Sequence, residues 1–491
     1  MIFPTIEFAI FFGLVLTASW LLMPNPKYWK PFMLAASLFF YGFVDARWVL
    51  LLLFSIVANQ VAATLISRSD SASRRKQFLI AIVVVDLGIL GVFKYFDFFA
   101  GSLNSVLNKV GLGAPLPLLE LVLPIGISFF TFQAISYVVD VHHGVARLAK
   151  PIDFAVYLSF FPHVVAGPIV RAREFIPQLA TPRSPRNLPA VPALFLILGG
   201  LFKKIVIADF LATTIVDPVF ATPAAYSSAD TAVAVYGYAA QIYCDFSGYT
   251  DIAIGLAMLL GFRFPQNFAS PYASTSLQEF WRRWHMTLSR WLRDYVYIPL
   301  GGNRKGRRRT YVNLMITMLL GGLWHGASWT FVIWGGIHGS GLAIERWWQE
   351  WRAAGGRPTN ESPEDVALST ATRRRSWSWP ARLLAWFVTF NVVCLAWIFF
   401  RSPDLETAGS VLGGLFTRWG EENQLVTPVV LLAVLVAIGT QFLPSKVTRT
   451  LERVFGRIPT LAQGIIVGLL IVLMVTLVGD QGVAPFIYFQ F

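Results

Sequence analysis

The chain has 491 residues, of which 55% are hydrophobic and only 14% charged, and a mean hydropathy of +0.59. Soluble domains carry about 25% charged residues, so this composition excludes an ordinary soluble enzyme and indicates an integral membrane protein. A net charge of +13 would point to nucleic acid in a soluble protein. Here the basic residues sit between apolar stretches, the positive-inside pattern, so the expected partners are anionic lipid headgroups and not nucleic acid. The only cysteines, Cys244 and Cys394, lie in apolar segments, which supports neither a disulfide framework nor a cysteine-based metal site.

Apolar runs at residues 8–23, 31–43, 49–66, 78–96 and 118–139 predict the first five spans. The first run follows Glu7, lacks a basic leader and a small-residue cleavage site, and is expected to be retained. Arg68, Arg74, Arg75 and Lys76 mark the loop after the third run as cytoplasmic, and counting back places the N-terminus on the periplasmic side. Residues 152–169 are apolar but short and flanked by basic sequence. They are expected to form a re-entrant piece ending at Ala166-Gly167-Pro168, with broken backbone sheltered by protein or a water-filled cavity. Spans follow at 192–216 and 231–260.

Residues 276–310 are the most amphipathic stretch. Ser276 and Glu279 have capping-box spacing. At 100° per residue, Trp281, Trp284, Leu288, Trp291 and Tyr295 share one face, and Arg282, Arg283, Arg290 and Arg293 the other. The spacing predicts one helix lying in the cytoplasmic headgroup region, followed by the basic loop through Arg309. The same pattern would suit a helix packed on a protein core, but the apolar neighbouring sequence favours the membrane surface. Residues 311–347 are again apolar, and both flanks are basic. They should enter the membrane and return as a hairpin, with Gly321-Gly322 and Gly326 as the breaks and His325 near its deep end. Spans at 383–400, 428–442 and 464–478 complete the chain, and residues 353–378, rich in Gly, Pro and charge, are expected to be a mobile cytoplasmic loop. The fold class is an all-α polytopic membrane protein of one domain, with about ten to eleven transmembrane helices plus re-entrant and interfacial pieces.

Ionisable groups at membrane depth are costly and are candidates for function. His325 leads, because an imidazole among Leu323, Trp324, Gly326 and Ala327 stays neutral and can take a proton as a general base. A structural histidine bonded to a backbone carbonyl is the competing reading. His285 lies on the border between the two faces of its helix. His338 follows His325 by 13 positions, about 20 Å along one continuous helix, and is read as structural unless the backbone folds back. Asp245 and Asp251 lie within one span, where they either face a polar path or pair with Lys203 or Lys204. No metal-ligand spacing, phosphate-binding loop or nucleophile elbow is present, so no bound metal is expected.

Three stretches resemble one family: YCDFSGYTDIAIG (Tyr243–Gly255), FWRRWHMTLSRWLRDYVYIPLGG (Phe280–Gly302) and LWHGASWTFVIWGGIHG (Leu323–Gly339). FPHVVAGPIVR (Phe161–Arg171) and the terminal PFIYFQF (Pro485–Phe491) fit the same picture. They are similar to the membrane-bound O-acyltransferases, in particular the AlgI-type alginate O-acetyltransferases. The resemblance implies helices around a central tunnel, with His325 as the catalytic histidine and His285 as the second polar active-site position. It implies acetyl transfer in the bacterial inner membrane, from a cytoplasmic thioester, acetyl-CoA, that is a substrate and not a bound cofactor. The acceptor would be an exported polysaccharide such as alginate, reached through a periplasmic SGNH-type partner. Arg282, Arg283, Arg290, Trp284 and Asp245 are the expected donor-binding residues, with lipid-headgroup anchoring the competing role for the arginines. D-alanyl or peptidoglycan acyl transfer, and a transporter without chemistry, are the alternatives.

Overall fold

The computed structural model describes residues 1, 3–353, 378–478 and 486–487. All regular structure among them is helical. The expected mobile loop at 353–378 falls almost wholly outside the described residues, as does most of PFIYFQF. The described residues pack as two compact units. One comprises Met1–Ile205, Phe246–Gln266 and Thr448–Gln490, and the other Val206–Asp245 and Asn267–Val447.

Among the described residues, four helices are long and apolar enough to cross a membrane alone: Arg47–Arg68, Ala72–Lys109, Ala190–Ala221 and Trp379–Arg401. A fifth is possible if Pro428–Phe442 and Lys446–Phe455, bent by 97° to each other, make one broken span. This is fewer than the ten to eleven expected, and the reasons are local. Ile6–Leu22 and Pro26–Gly42 are helices of 17 residues each, the second with Lys27 and Lys30 in its first turns, somewhat under the roughly 20 apolar residues that span a bilayer. Ser228–Leu259 is long enough at 32 residues but carries Asp230, Asp245 and Asp251. The span expected at 118–139 becomes helical only from Ile127. Pro115, Pro117 and Pro124 precede it, and proline cannot donate to a helix interior.

In the first unit, Asp153 through Ala172 are buried without interruption. They form two short helices, Pro151–Ser159 and Phe161–Val164, then non-helical backbone. His163 lies within this segment, its Nε2 2.9 Å from the Tyr157 carbonyl oxygen. Asp251 pairs with Lys203, whose ammonium also donates to Ser247 Oγ at 3.0 Å. That is the pairing role left open by the sequence.

The second unit contains the predicted hairpin. Its arms are Arg307–His325 and Trp329–Ala353, joined by the turn Gly326–Ser328. The turn falls at Gly326 alone, whereas Gly321 and Gly322 continue the first arm as helix. Their role is packing. A Cβ at Gly322 would run into the carbonyl oxygen of Phe331, and one at Gly335 would lie 2.5 Å from that of Met318. Small residues at these crossings let two backbones approach closely, as in membrane helix pairs generally.

The helix expected at 276–310 is two short helices, Leu277–Arg283 and Met286–Leu292, separated by Trp284-His285. A single helical wheel therefore does not describe it. Trp284, Leu288 and Trp291 are buried in protein, not displayed on a surface. The capping pattern is also shifted. Ser276 Oγ accepts from Glu279 N–H at 3.1 Å, as predicted, but the Glu279 carboxylate reaches back to Thr275 N–H at 2.9 Å.

Candidate active site

His325 is the last residue of the first hairpin arm and is 3% exposed. Helical regularity carries it to the apex, and Gly326 turns the chain immediately beyond. Its imidazole stands edge to face against Trp324, Trp334 and Phe400, with ring centroids 5.0 Å away in each case. An imidazole in such a setting is held in one orientation by aromatic contacts, at a position from which water is largely excluded.

His285 is positioned by backbone. Its φ of 40° places a non-glycine residue in the left-handed region, which costs about 1–2 kcal/mol. Two hydrogen bonds to the irregular chain at Asn267–Ala269 hold the break open. Ala269 N–H donates to the Arg283 carbonyl at 2.9 Å, and Met286 N–H to the Asn267 carbonyl at 2.9 Å. The Asn267 side chain completes the clip, its Oδ1 accepting from Thr287 Oγ1 at 2.9 Å and from Thr287 N–H at 3.2 Å. His285 Nδ1 accepts from Leu288 N–H as the cap of the second helix, at 3.4 Å. With Nδ1 accepting, the neutral ring carries its proton on Nε2 and can donate from there. Burial disfavours the charged form and lowers the pKa of this imidazole, which lies outside the spans.

The two histidines share one neighbour. Trp324 contacts His325 and also stands edge to face against His285, with centroids 5.7 Å apart. The hairpin adds a third. The fold-back sets Trp334 of the second arm against His325, and His338, one turn further along that arm, packs on Trp334 at 4.8 Å. His338 Nδ1 accepts from the indole N–H of Trp281 at 3.3 Å. The result is a row of alternating rings: His285, Trp324, His325, Trp334 and His338. Spacing on one continuous helix would separate His338 from His325, and the turn at Gly326 shortens that separation to the width of the Trp334 ring between them.

The remaining predicted donor-binding residues do not share one face. Arg282 is exposed. Arg283 is ion-paired with Glu279 at 2.6 Å and donates to the Ala269 carbonyl at 3.4 Å. Arg290 is half-buried on the second short helix. Trp284 is buried against Phe280 at 5.6 Å and Trp397 at 5.1 Å. Asp245 is buried in the helix Ser228–Leu259. Sequence reasoning missed two residues. One is Asn267, which follows Gln266 in an irregular stretch with no spacing signal. The other is Tyr272, whose hydroxyl donates to the Ala239 carbonyl at 2.7 Å and accepts from Trp397 Nε1 at 3.1 Å.

A buried histidine at a hairpin apex, with a second histidine across one indole, is an arrangement chemically able to accept and donate protons inside an apolar frame. The chain belongs to the membrane-bound O-acyltransferase family, whose model matches residues 38–356. It is thus a multi-pass membrane protein and a membrane-bound O-acyltransferase of the O-acetyltransferase kind. It is 38% identical over 420 residues to a peptidoglycan O-acetyltransferase of Helicobacter pylori, covering 80% of this chain and 74% of the relative. It is 40% identical over 397 residues to the probable alginate O-acetylase AlgI of Pseudomonas aeruginosa, covering 80% and 71%. A teichoic acid D-alanyltransferase of Streptococcus thermophilus is 29% identical over 289 residues, covering 56% and 68%.

Proposed function

We propose that the protein moves an acetyl group from a cytoplasmic thioester, acetyl-CoA, across the bacterial inner membrane for O-acetylation of an exported polysaccharide. The observation that carries this reading is His325, buried at the apex of the hairpin and fixed by three aromatic rings. In the proposed step, His325 takes the proton of an acceptor hydroxyl, which attacks the thioester carbonyl. General-base help of this kind is worth roughly 10²–10⁴-fold. His285, donating from Nε2, polarises the carbonyl of the donor. Arg282 is the exposed arginine of the predicted set and meets the CoA phosphates. The proposed topology has the N-terminus periplasmic, about ten crossings around a tunnel, and a periplasmic SGNH-type partner that passes acetyl to the polymer.

The alginate-type relative and the peptidoglycan-type relative are similar to this chain to nearly the same degree. Alginate-like polysaccharide is the first proposed acceptor and peptidoglycan the second. Vesicles containing the protein, loaded with either glycan and an SGNH-type partner, separate the two when acetyl-labelled CoA is supplied on the cytoplasmic face. The expected product is ester-bound label on one glycan. Label transfer only from a D-alanyl thioester would contradict the acetyl reading.

A further inference from the structure

With His325 as the base and His285 as one donor to the acyl carbonyl, the acyl transfer still lacks a second donor to that oxygen. As the hydroxyl attacks, negative charge develops on the carbonyl oxygen, and that oxygen needs hydrogen-bond donors already in place. Buried donors without acceptors are rare and call for a reason. Trp334 is such a donor. It is fully buried, and its indole Nε1 has no hydrogen-bond partner among the described residues. Its neighbours are rings: His325 at 5.0 Å, His338 at 4.8 Å, Phe400 at 5.3 Å and Trp397 at 5.9 Å. An N–H left unpaired in such surroundings carries its desolvation penalty uncompensated. A phenylalanine would fill an apolar slot without that cost.

Resting on the acyl-transfer reading, we propose that Trp334 is a catalytic residue whose indole N–H holds the carbonyl oxygen of the acyl group beside His325. His338, anchored by Trp281 through its Nδ1, is the positioning residue that fixes the Trp334 ring. In the step, a C–O bond forms between the acceptor oxygen and the acyl carbon, and the C–S bond breaks. The hydroxyl proton passes to His325 and leaves on the thiolate as CoA thiol. Trp334 gains and loses no proton, since it contributes only a hydrogen bond that tightens as charge grows.

The test replaces Trp334 with 3-benzothienylalanine, which keeps the bicyclic shape and removes the N–H. It is applied to the full-length protein in vesicles, with CoA thiol release as the readout. The expected result is a fall in kcat of about 10²–10³-fold with KM nearly unchanged, the pattern of a donor that acts mainly in the transition state. Equal kcat in a folded isostere overturns the inference, and means the surrounding ring faces satisfy the N–H. If the isostere does not fold, a fluorinated tryptophan at the same position, a stronger donor of the same shape, decides instead. A raised kcat supports the assignment and an unraised one overturns it. Absence of turnover by the wild type overturns the acyl-transfer reading and this inference together, whereas an unaffected isostere overturns this inference alone.

Discussion

The hairpin that carries His325 and the pair of short helices that carries His285 are built differently. The hairpin is regular helix up to His325, and its precision comes from small residues at the crossing of the arms. The short helices are interrupted at their own histidine. His285 sits in a left-handed conformation clipped by Asn267 and Ala269, and its own side chain caps the helix that follows. Strain of this kind persists only where the surroundings over-determine it, and it concentrates at functional sites. The comparison shows two routes to one end: packing fixes one imidazole, and hydrogen-bonded backbone fixes the other.

The largest effect should come from breaking the packing route. In Gly322→Ala the new methyl meets a backbone oxygen of the opposite arm, which cannot rotate away. The arms must separate, at about 3 kcal/mol or more, and His325 moves with them. Thermal unfolding and thiol release should fall together, and an active, stable variant would show that the close crossing is not needed. The backbone route is tested by His285→Asn against His285→Ala. Asparagine tolerates the left-handed region and retains a capping oxygen, so it should be about 1–2 kcal/mol more stable than alanine. Both should lose roughly 10²-fold in kcat. Equal stabilities would mean that the strained turn and the cap contribute little. The smallest effect is expected at the rim. Arg283 is engaged with Glu279, and that pair is about a third exposed. Arg283→Gln should cost less than about 1 kcal/mol and leave KM for acetyl-CoA unchanged. A several-fold rise in KM would return Arg283 to the donor site.

The same contrast explains what the sequence could reveal. The hairpin was legible because basic flanks on both sides demand a return and Gly326 supplies the turn. The burial of His325 at the apex was legible because an imidazole amid tryptophan and glycine stands out in an apolar run. The break at Trp284-His285 was hidden, because nothing in FWRRWHMTLSRW interrupts helical periodicity. The break is imposed by the hydrogen bonds of residues 267–269, which precede it in sequence and pair with it only in three dimensions. The ring that links His338 to His325 was hidden for a related reason: spacing along one helix says nothing of what packs between two residues once the chain turns back. The expected spans and the helices that qualify by length and apolarity alone part where prolines before Ile127 delay the helix and where helices end at 17 residues.

The central claim is that His325 is the base of an acyl transfer. Its most direct test supplies acetyl-labelled CoA to the cytoplasmic face of vesicles carrying wild type or His325→Ala, with both proteins shown to be folded by thermal unfolding. Label should leave CoA with the wild type and fall by at least about 10²-fold with the variant. Equal loss of label from both would contradict the assignment of His325.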